Sequence, residues 1–347
     1  MCPLSDGRIL IGTNGNGALT YAFGDAALQP CDYYHPWANL EKAKIQHVLE
    51  DRDGNIWLGV FQKGVYMQPC LNNGFEYIGY KSGGRNLIGS ACVLGVYGDR
   101  NGRLWVGTDR DGLYIVDLAT YSVRHFASGC NGMPGTVACM TEDGDGNLWI
   151  GSYGNGAGRL DRETGRYEQL PFTREGRSVF VFKLLADGNG NLWVATLGDG
   201  LKKYNLRTHE LTRYDVDFQA SDSSVNSLTN SWLVDLCLSH DGKRLYIGMS
   251  SGLGCLDLET NSFVTAFGRN CVLRYVSIHA LAEDAAGRLW VGSDKGLFFL
   301  DRQGNTLKQY TTHDGLADNY VSSLQLDDSG NLWVGTFRGL SMLDVGK

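Results

Sequence analysis

One short motif recurs eight times along the 347 residues, and it limits the fold more than any other feature of the chain. The copies occupy Gly7–Thr13, Gly54–Val60, Gly102–Thr108, Gly146–Ser152, Gly190–Thr196, Gly242–Met249, Gly287–Ser293 and Gly330–Thr336, the last reading Gly-Asn-Leu-Trp-Val-Gly-Thr. An aromatic position falls at Trp57, Trp105, Trp149, Trp193, Tyr246, Trp290 and Trp333, with Leu10 in its place in the first copy, at spacings of 43 to 53 residues. That is the period of one four-stranded propeller blade. Six of the eight Trp residues sit at this position, which marks them as core rather than ligand contacts.

The flanks of each copy repeat as well. An apolar run ending in acidic residues comes first, as in Ala138–Asp143 and Ala280–Asp284, followed by Asp-Gly or Asn-Gly to make a tight hairpin. The Trp strand, a Gly turn and a third strand follow, such as Gly112–Asp117 or Gly296–Asp301, and a weaker fourth segment closes the unit. The apolar runs are four to seven residues long and Gly-punctuated, too short for helices. The fold class is therefore all-β, a β-propeller of four-stranded antiparallel blades with strands A to D from the channel outward. The Leu-Trp-Val strand is apolar on both faces, as burial between neighbouring blades requires. The Gly two residues after the Trp is expected to leave room for an aromatic of the next blade.

The strand count favours seven blades over eight. Copies two to seven supply all four strands, the eighth supplies A–B–C, and the first is expected to supply only B–C–D. A D segment near Asp32, Tyr33 and Tyr34 then completes the eighth copy's blade. Residues 1–347 are read as one propeller domain, with 1–30 a leftover hairpin of a preceding propeller.

Composition narrows the function. The net charge of −7 is spread along the chain without a basic run, so nucleic acid is not an expected partner. No apolar stretch has the length of a membrane helix, and residues 1–6 show no export signal. The nine Cys include no CxxC pair, so zinc is not expected and buried free thiols are. Acidic turns such as Asp143–Asn147 lack the ligand spacing of a calcium loop. No metal, cofactor or catalytic residue is assigned.

The unit Asp-x-x-Gly-Asn-Leu-Trp-Val-Gly-Thr…Gly-Leu resembles the two-component regulator propeller repeat, and His313–Val321 and Asn226–Leu233 resemble that family's approach to its innermost strand. The resemblance spans nearly the whole chain, with departures at Tyr246 for Trp and Ala195 for Gly. It implies the periplasmic sensor region of a Bacteroides-type hybrid two-component system, responding to oligosaccharides. It also implies a β-sandwich, membrane helix and kinase that this sequence does not contain, so the chain reads as a piece of a longer sensor.

In a propeller the B–C turns and D–A loops share one face, and binding uses the face where loops vary. The nominated ligand-binding residues are Asp109, Arg110, Tyr153, Asn155, Asp199, Trp232, Tyr275, Lys295, His313, Phe337 and Arg338. Arg85, Asn86, Arg177 and Arg274 lie in the same loops. Planar aromatics beside Asn, Asp and Arg suit a sugar ring and its hydroxyls. The extra residues at Asp215–Ser227 could form a lid or a partner contact. Expected partners are an oligosaccharide or other small ligand, with a second propeller or a homodimer partner as further candidates. The alternatives are a propeller lyase or hydrolase and a protein-docking scaffold. The scattered His residues do not assemble an acid–base pair in the sequence.

Overall fold

The structure is a computed structural model that describes residues 1–347 except 6, 31–39, 53–54, 69–86, 173–177, 217–226, 265–266, 268–271, 328 and 346–347. Asp32–Tyr34, Arg85, Asn86, Arg177 and most of the 215–227 insertion therefore lie outside the described residues. The chain forms two compact units, Met1–Ser90 and Ala91–Lys347. Among the described residues each copy of the motif builds one antiparallel group of strands, giving two sheets in the first unit and five in the second, where the fourth and fifth copies join through the Tyr153–Phe180 pairing.

The first sheet differs from its expected form. Cys2–Pro3 pairs with Ile9 and Leu10, and Gln29–Pro30 pairs with Leu19 and Thr20, so this copy has a short A strand and its own D strand. The premise that it supplies only B–C–D does not hold. Within the first unit Leu4 and Leu10 are buried against Ala43, Ile45, Ile56 and Leu58.

The same packing repeats through the second unit. Trp105 is buried with Val137, Leu148 and Ile150 of the following sheet. Trp149 lies with Val181, Leu192 and Val194, and Trp193 with Leu233, Leu245 and Ile247. Tyr246 and Trp290 repeat the pattern on Ile278 and Val321. The core of the second unit is thus a series of layers between neighbouring copies, each built around the aromatic of the motif. Trp57 and Trp333, each in the last described sheet of its unit, are 38% and 37% exposed.

Burying an indole also buries its N–H, which needs an acceptor. The acidic residue six positions earlier provides it. Nε1 donates to the carboxylate in the pairs Trp57–Asp51, Trp105–Asp99, Trp149–Asp143, Trp193–Asp187, Trp290–Asp284 and Trp333–Asp327, at 2.7 to 3.1 Å. The other carboxylate oxygen ties the A–B turn: Asp143 accepts from the backbone N–H groups of Asp145 and Asn147. Burial pushes the Asp99 carboxyl up, but the Trp105 indole and Arg103 outweigh it and hold it at about 2. Asn331 and then Trp333 hold Asp327 at about 2 as well. In the sixth copy both partners change. Ser239 replaces the Asp, and the Tyr246 hydroxyl donates to Glu283 of the next sheet at 3.3 Å.

The Gly after the Trp makes room for an aliphatic side chain, not the expected aromatic. A Cβ on Gly107 would sit 2.6 Å from the Val137 carbonyl oxygen and 2.7 Å from Val137 Cγ1. On Gly292 it would meet Val321 Cγ1 at 2.6 Å. A β-branched residue opening the next A strand fills that space. The final Thr or Ser of the motif closes the B–C turn, its hydroxyl donating to a backbone carbonyl from Thr108, Ser152, Thr196, Ser293 and Thr336.

Two outcomes follow for stability. Asp143→Ala leaves a buried indole N–H and two turn N–H groups without their acceptor, and should cost about 2–3 kcal/mol in denaturant unfolding. The neighbouring exposed Asp145→Ala should stay within about 0.5 kcal/mol. Equal losses in the two variants would contradict the indole clamp. Because the folded Asp99 and Asp327 carboxyls are held below their ordinary value, the stability they contribute is present above about pH 4 and lost as pH falls toward 2. Thermal melts across that range should show the decline.

Candidate functional site

The B–C turns are fixed to the loop entering the next sheet. Backbone N–H groups of Gly112, Gly156, Gly198 and Gly252 donate to the carbonyls of Gly135, Val179, Ser231 and Val276 at 2.9–3.0 Å. The rim of the second unit is therefore a hydrogen-bonded band in which side chains vary over a constant backbone.

Where the fourth, fifth and sixth copies meet, the band is interrupted by a cleft of about 480 Å³ lined by Ser178, Val179, Phe180, Leu197, Gly198, Asp199 and Trp232. Phe180 and Trp232 occupy equivalent places, one residue before the A-strand residue that pairs with the end of the B strand. Their carbonyls accept from Leu197 and Ser250. Gly198 has φ +94°, and a Cβ there would lie 3.8 Å from the Trp232 indole, so the turn already packs against that ring. Trp232 nevertheless remains 54% exposed and Phe180 43% exposed. Beside them, Tyr153 pairs with Phe180 across strands and contacts the rings of Phe180 and Phe182 at 6.2 Å. Burial pushes the Tyr153 hydroxyl up, with Cys139 and Asp109 adding to it.

Asp199 is the charged group of the cleft. Its carboxylate and carbonyl both accept from Lys202 Nζ, at 2.5 and 2.7 Å, and the Lys202 side chain is wholly buried. Burial lowers the Lys202 ammonium below its ordinary range while Asp199 pulls it back up. Paired this way, the two charges cancel beneath two open aromatic faces. The cleft is suited to a neutral molecule with an apolar ring face and hydroxyls for the free carboxylate oxygen.

Of the nominated residues, Asp199 and Trp232 line the cleft and Tyr153 packs on its Phe180 wall. Asn155 lies beside Val179 and accepts from Gln169 Nε2 through its carbonyl. Asp109 accepts from Thr136 at 2.9 Å, and exposed Arg110 lies 4.0 Å from it. The others occupy later parts of the rim and do not line the cleft. Arg274 covers the Tyr275 ring at 5.1 Å, Lys295 lies 3.7 Å from Asp294, and His313 sits in a 3-10 turn capped by Thr311. Phe337 stacks on Tyr320 at 4.0 Å, Tyr320 stacks on His279 at 4.5 Å, and Arg338 pairs with Asp318 at 3.2 Å. Sequence reading missed Phe180, hidden in the apolar run Val179–Ala186, and Lys202, hidden in a strand whose alternation turns it inward.

The described thiols are unpaired. Burial pushes Cys139, Cys237 and Cys255 up to about 12, as expected of core thiols, but Cys92 and Cys130 are exposed. Among the described residues no cluster of His, Cys, Asp and Glu is arranged to hold a metal ion, and no helix is long and apolar enough to cross a membrane.

The family model described as "Two component regulator propeller" matches residues 86–110, 131–154, 273–295 and 315–338. Each match spans an A strand, its acidic turn and the Trp strand clamped to it. The chain carries two-component regulator propeller repeats. Among solved structures, the extracellular domain assigned to the hybrid two component system BT3049 from B. thetaiotaomicron is similar at 18% identity and a TM-score of 0.52, covering 99% of this chain and 50% of that one. PorZ, a surface component of the type-IX secretion system of Porphyromonas gingivalis, is similar at 18% identity and a TM-score of 0.58, covering 95% and 50%. The WD40 β-propeller domain of Doa1 is similar at 14% identity and a TM-score of 0.52, covering 86% and 87%. The chain thus spans about half the length of the two bacterial structures. At such identities the likeness shows the β-propeller fold. Among curated proteins, none matches the chain.

Removing one member of the charge pair should cost more than removing both. Lys202→Met leaves Asp199 without its counter-charge and should destabilise the chain by about 1–3 kcal/mol, discounted for the partial exposure of Asp199. Adding Asp199→Asn should recover more than half of that in denaturant unfolding. A double variant weaker than the single would contradict the pairing.

Proposed function

We propose that this chain is a ligand-recognition propeller of an extracytoplasmic sensor in a hybrid two-component system, with an oligosaccharide as its signal. The observation that carries the reading is the cleft: two exposed aromatic side chains, Phe180 and Trp232, share it with a charge-neutralised carboxylate at Asp199. A pyranose offers an apolar face to stack and hydroxyls to donate, which fits that arrangement. The rim hydrogen bonds hold the turns in place before any ligand arrives, so little ordering opposes binding. The regulator repeats supply the signalling context, and the similarity to an extracellular domain of such a system supports placement outside the cytoplasm.

A thermal-shift screen of plant and host-glycan oligosaccharides tests the proposal. A sugar of the recognised class should raise the melting temperature without being consumed, and Trp232→Ala should weaken its binding at least tenfold while leaving unfolding nearly unchanged. Product formation from a binding sugar would replace the sensor reading with a lyase or hydrolase. Recovery of a specific protein partner, with no sugar bound, would favour a docking scaffold.

A further inference from the structure

The cleft has a neighbour on its sixth-copy side. The turn Ser250–Gly252 is bonded to Trp232 at one end, Ser250 N–H donating to its carbonyl at 2.9 Å. At the other end it is bonded to the loop entering the seventh sheet: Ser251 Oγ donates to the Arg274 carbonyl at 3.5 Å and Gly252 N–H to the Val276 carbonyl at 2.9 Å. Three extended residues reach at most about 10 Å. One tight turn therefore separates Trp232 from Arg274 and Tyr275. The Arg274 guanidinium lies over the Tyr275 ring, 5.1 Å from its centroid, and Tyr275 is 79% exposed.

Among the described residues, four other cations of this region sit beside carboxylates. Arg110 lies near Asp109, Lys295 near Asp294, Arg338 near Asp318, and Lys202 is held by Asp199. Arg274 differs: among the described residues it has no acidic partner, and its contact is with an aromatic face that steadies it while leaving its donors open. A planar five-donor group held in this way suits bidentate contact with a carboxylate or sulfate.

We infer that Arg274 is an anion-selecting contact beside the cleft, so that the ligand carries a carboxylate or sulfate next to the ring that stacks on Trp232. The inference rests on the sugar reading of the cleft. It places a neutral subsite and an anionic subsite on consecutive blades and makes the signal an acidic oligosaccharide.

The test is calorimetric titration of the whole chain with matched pairs: oligogalacturonate against its methyl ester, and a sulfated galactan oligosaccharide against its desulfated, neutral form. In at least one pair the acidic member should bind ten times more tightly or better. The preference should shrink severalfold between 50 and 500 mM salt. In Arg274→Gln the two members should bind within about twofold of each other, with the neutral member unchanged from wild type. Neutral members binding wild type as well as the acidic ones would overturn the anionic subsite while leaving the cleft intact. An acid preference that survives Arg274→Gln would also overturn it. Failure of every sugar, neutral and acidic, would instead sink the cleft reading and this inference with it.

Discussion

The hydrogen bond from a Trp indole to the carboxylate six residues before it organises the rest of this molecule. It solves two problems at once: it satisfies the one polar group on a side chain that must be buried between sheets, and it closes the turn that brings strands A and B together. With the indole fixed from behind, its face is presented to the next sheet at a constant position. The facing A strand can then carry a β-branched residue close against the motif Gly, as at Gly107 and Val137. Each letter of the repeat serves either this clamp or the hydroxyl closure of the following turn.

That division explains what the sequence makes legible. The spacing of the aromatics and the Gly-punctuated runs identify the strands and the core aromatics because each rests on local periodicity, whereas the occupant of the space beside the motif Gly does not. The reason for the acidic turn is harder to see, since hairpin geometry alone also favours Asp and Asn there. The paired change at Ser239 and Tyr246 was the available signal: acceptor and donor depart together in the sixth copy. The A strand at Cys2–Pro3 escaped notice because two residues, one of them Pro, show no strand pattern.

The site is less legible for a related reason. Asp199 and Trp232 could be nominated from their place in variable loops, but their convergence depends on how neighbouring sheets meet, which no local pattern encodes. Phe180 lies within an apolar run and Lys202 within a strand, so neither stands out in the sequence, yet the aromatic is half open and the lysine is closed away. A rim whose backbone is tied from turn to loop lets such substitutions change the chemistry of a cleft without disturbing the sheets beneath.

The sixth copy has a different standing among its neighbours. In the clamped copies the carboxylate–indole bond lies within one repeat, so duplication of a repeat carries its clamp whole. Tyr246 instead directs its hydroxyl to Glu283 across the boundary, and the His240 backbone N–H donates to that same carboxylate. For the clamp, copies six and seven are therefore a co-inherited pair: a graft or recombination crossover between them would separate the acceptor from its aromatic, which crossovers between the clamped copies leave together.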